Sequence, residues 1–215
     1  MAILVEVLMH VRFWFDPACP FCWVTSRWLV RVAAHRDLDI EWSPISLLEK
    51  NGTRPGEPFY DEVTASHGML RVVEAVRAAG HADRIGDLYT ALGRALHVDE
   101  APVDMKAILG ELGLDRGLAR AARDETFDVA IVEAMDEGLE LVGDAVGTPI
   151  IALERSDGGE LVGLFGPVIT RLPEVDASLR LWDGFVAMVE TDGFYELKRT
   201  RAEAPARVAH ADLVG

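Results

Sequence analysis

The chain has only two cysteines, and both lie in one short segment, Cys19-Pro20-Phe21-Cys22. The run before it, Val11-Arg12-Phe13-Trp14-Phe15, is rich in β-favouring residues and stops at Asp16-Pro17. The run after it carries Val24, Trp28 and Val32 at i, i+4 and i+8, the buried stripe of a helix reaching about His35. Pro20 suits a first helical turn, where its missing N–H costs nothing. Two cysteines at this spacing, between a strand and a helix start, predict a dithiol/disulfide redox centre.

The remaining pattern places that centre in a fold. Residues 38–46, with Ile40, Trp42 and Pro44-Ile45, read as a second strand leading into a loop. From Pro58 to about Asp144 strand character disappears. Ile85, Leu88, Tyr89, Leu92 and Leu96 keep helical spacing, as do Phe127, Ile131, Met135, Leu139 and Val142. Residues 104–112 and 115–123 read as shorter helices parted by Gly113, making a block of four or five helices. Strand character returns at residues 150–154, and Ser156-Asp157-Gly158-Gly159 turns the chain into a second strand at 161–165. Leu179, Trp182, Phe185, Val186 and Val189 mark a closing helix. The tail from Lys198 is basic, then Ala- and Pro-rich, and is expected to fray.

Strand, CxxC helix and strand, then a helical block, a β-hairpin and a helix, predict an α/β thioredoxin fold with an inserted all-helical domain. The expected division is 1–57 and 146–215 for the two parts of the thioredoxin fold, with 58–145 as the insertion.

Composition narrows the chemistry. Half of the 215 residues are hydrophobic, an ordinary globular content. The formal charge is −15, from 21 basic and 36 acidic residues, which argues against nucleic acid or an anionic membrane as partner. No apolar stretch approaches the ~20 residues of a membrane span. The opening Met1-Ala2-Ile3-Leu4-Val5 is interrupted by Glu6, lacks a basic start and shows no clear cleavage site, so a cytoplasmic protein is expected. In that reducing compartment a structural disulfide is disfavoured, leaving catalysis or metal binding. Zinc needs four ligands in a structural site, whereas the chain has no second CxxC, no close His pair and widely separated histidines, so no metal is expected. A buried, inert pair is the remaining alternative; Pro20 and the flanking aromatics Phe21 and Trp23 weigh against it.

A thiolate, not a thiol, attacks disulfides and electrophiles. Unsatisfied N–H groups and the macrodipole at a helix start favour negative charge. Cys19 is therefore the expected exposed nucleophile with a lowered pKa, and Cys22 its resolving partner. Gly147-Thr148-Pro149 precedes the strand at Ile150. Proline is sterically allowed at a strand's first residue; in thioredoxin-fold proteins a cis proline in this position lies beside the CxxC and frees the preceding backbone to pair with substrate.

The segment Phe13-Trp14-Phe15-Asp16-Pro17-Ala18-Cys19-Pro20-Phe21-Cys22-Trp23-Val24-Thr25-Ser26-Arg27-Trp28 resembles the active-site segment of the actinobacterial mycothiol-dependent nitroreductases, in the DsbA-like branch of the thioredoxin superfamily. Further matches are Asp144-Ala145-Val146-Gly147-Thr148-Pro149, Phe165-Gly166-Pro167-Val168, Leu181-Trp182-Asp183 and Phe194-Tyr195-Glu196-Leu197-Lys198-Arg199-Thr200-Arg201. The resemblance implies a cytoplasmic thiol-disulfide oxidoreductase that cycles the Cys19-Cys22 dithiol and draws electrons from mycothiol, a low-molecular-weight thiol. It also implies a small oxidised or nitro substrate, with protein disulfides as a further possibility, and leaves monomer or homodimer open. Pro20, Phe21, Thr148 and Pro149 would line the thiol site, and Asn51 and Tyr60 fall where the family has thiol-pocket residues.

Two departures stand out: Phe21 replaces the Trp common between the cysteines, and Ser66-His67-Gly68-Met69 lacks the relatives' Trp-Gly-Pro. His67 is read either as facing the active site or as a solvated or core histidine. Asp16 is read as a helix cap with a structural role. Lys198, Arg199 and Arg201 suit an anionic group on mycothiol or the end of the closing helix equally well. Two other functions compete: a kappa-type glutathione transferase or hydroxychromene carboxylate isomerase, whose serine in place of the first cysteine leaves Cys22 without a use, and a redox-sensing or chaperone-like protein whose insert offers an apolar client surface.

Overall fold

A computed structural model describes residues 8–156 and 158–213; the apolar opening at residues 1–6 and Asp157 of the hairpin turn lie outside them. The elements are β1 (Met9–Phe15), α1 (Pro20–Ala33), β2 (Leu38–Pro44), α2 (Leu47–Asn51), α3 (Tyr60–Ala78), α4 (Ile85–His97), α5 (Met105–Glu111), α6 (Asp128–Val142), β3 (Ile150–Glu154), β4 (Leu161–Phe165) and α7 (Val175–Val189). The sheet order is β2-β1-β3-β4. β1 runs parallel to β2, with α1 as the crossover, and antiparallel to β3, which pairs antiparallel with β4.

Alternation along β1 sorts its side chains between two cores, as a period of two residues requires. Phe13 pairs with Ile151 and Trp14 with Ile150. Val11, Phe13, Phe15, Ile151 and Leu153 join Trp28, Leu29, Tyr89, Trp182 and Phe185 in one cluster. Trp14, Ile150 and Ala152 face Met135 and Leu139 of α6 on the other side. Trp14 Nε1 also donates to the Ala134 carbonyl at 2.6 Å. Gly138 permits this approach, since a Cβ there would lie 2.8 Å from Trp14 Nε1. On the first face Trp28 Nε1 donates to the Ser178 carbonyl at 3.1 Å, fastening α1 to α7.

The stretch from Leu47 to Val142 is helical, with no strand among the described residues. Two local expectations change. The loop expected after β2 contains α2, because Ser46 Oγ accepts the Glu49 N–H at 3.3 Å and Gly52, with φ 58°, closes the turn. Arg116–Arg123 is a 3₁₀ segment rather than an α-helix: Asp115 Oδ1 takes the Gly117 N–H at 2.7 Å and tightens its first turn.

The C-terminal tail is not frayed. The Ala206 N–H donates to the Thr170 carbonyl at 2.7 Å, and Val208 is buried. Arg207 pairs with Glu100, His210 with Asp99 at 3.1 Å, and Arg31 with Asp212 at 2.5 Å. Its composition suggested a loose end, yet Arg207 and His210 meet carboxylates beyond α4 while Val208 finds the core. No helix among the described residues is long and apolar enough to cross a membrane.

Candidate active site

Cys19 is the N-cap of α1, in extended backbone conformation (φ −82°, ψ 111°), with Pro20 in the first helical turn. The Cys22 N–H donates to Cys19 Sγ at 3.4 Å, so the sulfur takes the place a serine or aspartate oxygen fills at other helix starts. Cys19 is half-buried and Cys22 fully buried, both as free thiols. The Cys19 S–H points at the Thr148 carbonyl, 3.9 Å away, and Cys22 Sγ lies 3.8 Å from the Trp14 carbonyl. The Thr148–Pro149 peptide bond is cis. A residue at the start of α1 and the residue ahead of β3 therefore meet across the top of the sheet.

The electrostatics differ from the sequence expectation. Burial raises the Cys19 pKa above the ordinary thiol value, aided by the Asp16 charge; the contact with Thr148 and the Cys22 N–H act downward. The helix start is present, but desolvation outweighs it. Cys22 is raised further, first by burial and then by the charge on Cys19. Cys19 thus remains the more readily ionised and the more accessible of the two sulfurs.

Asp16 is fully buried beneath the loop that carries Cys19. Its carboxylate accepts the Ala18 N–H at 2.8 Å, the Leu47 N–H at 2.7 Å and the Ser66 hydroxyl. It therefore joins the CxxC loop to α2 and α3 and does not cap α1, whose N-cap is Cys19 itself. Burial raises its pKa against these three donors. His67 is buried next to Ser66, with Nδ1 2.8 Å from Ser46 Oγ and Nε2 3.0 Å from Asp128 Oδ1. Arg71 grips the same carboxylate through Nε at 2.5 Å and Nη2 at 2.7 Å. His67 is thus a core residue tying α3 to α6 and β2's exit.

The other expected site residues separate into two groups. Pro20 is exposed and Phe21 half-buried beside the sulfurs, with the Arg201 guanidinium carbon 4.6 Å over the Phe21 ring. Asn51 is exposed at the end of α2, and Tyr60 half-buried at the start of α3. Neither forms a hydrogen bond or ring contact with the CxxC segment among the described residues.

Several neighbours of the dithiol were missed from the sequence. His97 of α4 lies with Nε2 2.8 Å from the Pro17 carbonyl and stacks on Trp23 at 6.0 Å, its pKa lowered by burial. Tyr89, read as a core position, stacks on Phe15 at 4.1 Å in the same buried cluster as Cys22. Arg27 is buried one turn beyond Trp23, and its guanidinium carbon is 4.4 Å from the Trp23 ring centroid. A charged residue four positions from an indole on a helix with a buried stripe was the available signal for it.

A half-buried N-cap cysteine, a buried second cysteine and a cis proline, carried on this sheet, define a DsbA-like thioredoxin fold and a thiol-dependent oxidoreductase. The chain belongs to the family of the mycothiol-dependent nitroreductase Rv2466c, whose family model matches residues 18–199. An uncharacterized protein of Mycobacterium tuberculosis, Rv2286c, is 28% identical over 208 residues, covering 94% of this chain and 87% of its own. Among solved structures, the cytosolic disulfide reductase DsbM of Pseudomonas aeruginosa superposes with a TM-score of 0.57 at 19% identity, covering 83% of this chain and 99% of that one. A 2-hydroxychromene-2-carboxylate isomerase reaches 0.56 at 15% identity, over 84% and 96% of the two chains. These structural likenesses concern the fold.

Proposed function

We propose that this protein is a cytoplasmic reductase that takes electron pairs from mycothiol through Cys19 and Cys22 and delivers them to a small disulfide or nitro substrate. The observation that carries the reading is the asymmetry of the two sulfurs. One is accessible, capped by a helix N–H and beside a backbone carbonyl at the head of β3; the other is buried behind it. The family description supplies the thiol and the nitro class. The cytosolic DsbM fold is consistent with a reducing compartment.

With a disulfide substrate, Cys19 Sγ attacks as the thiolate, a mixed disulfide forms and the first substrate thiolate leaves. Cys22 Sγ, once deprotonated, attacks Cys19 Sγ, releases the second substrate thiolate and leaves the enzyme disulfide. In the return half, Cys19 Sγ takes the sulfur of one mycothiol while Cys22 leaves as a thiolate. A second mycothiol thiolate attacks the mycothiol sulfur of that adduct, freeing Cys19 and releasing mycothiol disulfide. One electron pair crosses per cycle.

Pro20, Phe21, Thr148 and Pro149 are proposed to border the thiol, with Thr148 presenting its carbonyl to an extended group. Asn51 and Tyr60 are proposed to contact its far end. Residues 58–145 would act as the insertion over the thioredoxin core, with Asp16 and Ser66 joining the two.

The test is intact-mass analysis of the full chain under oxidising mycothiol. Cys22→Ser is expected to hold one mycothiol on Cys19, and Cys19→Ser is expected to abolish turnover. No added mass on Cys22→Ser would reject the assignment.

A further inference from the structure

Arg27 is an expensive residue to keep where it is. It is only 3% exposed, and among the described residues no carboxylate pairs with it. Nη1 donates to Thr90 Oγ1 at 2.9 Å and Nε to Ser26 Oγ at 3.2 Å, while Nη2 has no hydrogen-bond partner. Two aromatic faces cover the guanidinium: the Trp23 centroid at 4.4 Å and the Tyr89 centroid at 5.9 Å. A buried cation held only by hydroxyls and rings is destabilising unless an anion forms nearby.

Tyr89 repeats the pattern. It is fully buried, and its hydroxyl has no partner in hydrogen-bonding geometry. Tyr89 packs in the same buried cluster as Cys22, and its hydroxyl acts to draw the Cys22 thiol pKa downward. Arg27 in turn is pushed down to about 10 by burial and back upward by Tyr89 and Cys22. Two under-used donors therefore act on one buried sulfur.

We propose that Arg27 and Tyr89 form the receiving site for the negative charge that arrives on Cys22 when a thiolate opens the Cys19–Cys22 disulfide. This rests on the roles given to the two cysteines above. In that step the incoming sulfur bonds to Cys19 Sγ and the Sγ–Sγ bond breaks. The bonding pair leaves on Cys22 Sγ, so one negative charge moves from the thiol to Cys22 and no proton is transferred. Exchange is faster when the leaving thiol is more acidic. Burial works against that here, as does the charge of Asp16, while the Tyr89 hydroxyl and the Asp16 N–H act in favour; Cys19, bonded to the incoming sulfur, carries no charge at this step. Arg27 supplies the positive charge from the protein side. Tyr89 is the group at the sulfur; Arg27 is a positioning residue that acts through the field and through Tyr89.

The experiment follows opening of the oxidised full-length protein by excess dithiothreitol, quenched with an alkylating agent. Arg27→Met is expected to slow opening about tenfold, Tyr89→Phe about threefold, and Arg27→Lys to stay within about threefold of the parent. In a Cys19→Ser background, where Cys22 is the remaining thiol, the ultraviolet thiolate titration is expected to move about one pH unit upward in Arg27→Met. A merely structural arginine would lower thermal stability and leave that titration in place. Equal opening rates with an unmoved titration would overturn the proposal. If Arg27→Met does not fold, Tyr89→Phe decides: a slower opening supports the site and an unchanged rate overturns it. A parent disulfide that no small thiol opens would instead defeat the cysteine roles of the proposed function.

Discussion

Arg201 holds its guanidinium carbon 4.6 Å over the ring of Phe21, the residue between Pro20 and Cys22. The C-terminal tail thereby reaches the residue beside Cys22. A cation–π contact at an exposed site is worth ~0.5–1 kcal/mol. Arg201→Ala is expected to speed Cys19 alkylation about twofold to fivefold with little change in melting temperature. An unchanged rate would mean that the tail does not restrict the sulfur.

The reduced protein offers a pH test of the thiol environment. Because burial raises Cys19, its alkylation midpoint is expected above the ~8.5 of a free thiol. The sign follows for stability as well. A raised folded-state pKa contributes stability below the unfolded value, and this is lost as pH rises through the folded value. Reduced parent protein should therefore lose more stability between neutral and alkaline pH than Cys19→Ser. A midpoint below the free-thiol value would show that the helix start outweighs burial after all.

Gly93 of α4 lies where a Cβ would run into the ring of Trp23 of α1. Gly93→Ala is expected to cost ~1–3 kcal/mol, since the indole must move within a packed core. Urea denaturation measures this directly. Loss of the His97–Pro17 contact on the same helix should accompany it, visible as a changed Cys19 alkylation rate.

Asp128 is held low in pKa, first by Arg71 and then by His67, against an opposing effect of burial. Asp128→Asn is expected to cost about 1–2 kcal/mol at neutral pH, given charge-assisted but partly exposed bonds. A depressed carboxylate contributes stability above its unfolded pKa, lost as pH falls through the folded value. The gap between parent and variant should therefore close in acid. A gap that persists at low pH would assign the loss to packing.

Much of this was legible in residue order. The β-rich run ending at Phe15, the stripe of Val24, Trp28 and Val32, and the CxxC between them gave the strand, the helix and the two sulfurs at its start. Thr148-Pro149 before an apolar strand pointed to the carbonyl that meets Cys19. Such features are local: they depend on side-chain period and on the steric properties of proline, which neighbours in sequence fully express.

What depended on packing was everything reached across the sheet or over the helices. The depth of Cys19, and hence the upward direction of its pKa, is set by groups from other elements covering the helix start. Asp16 serves Leu47 and Ser66 instead of α1, His67 is locked between Ser46 and Asp128, and the tail returns to Phe21. Arg27 of α1 and Tyr89 of α4 meet because the two helices pack together, with Gly93 against Trp23. Desolvation and long-range charge act through space, so their sign is fixed only once the folded chain has decided which groups are neighbours.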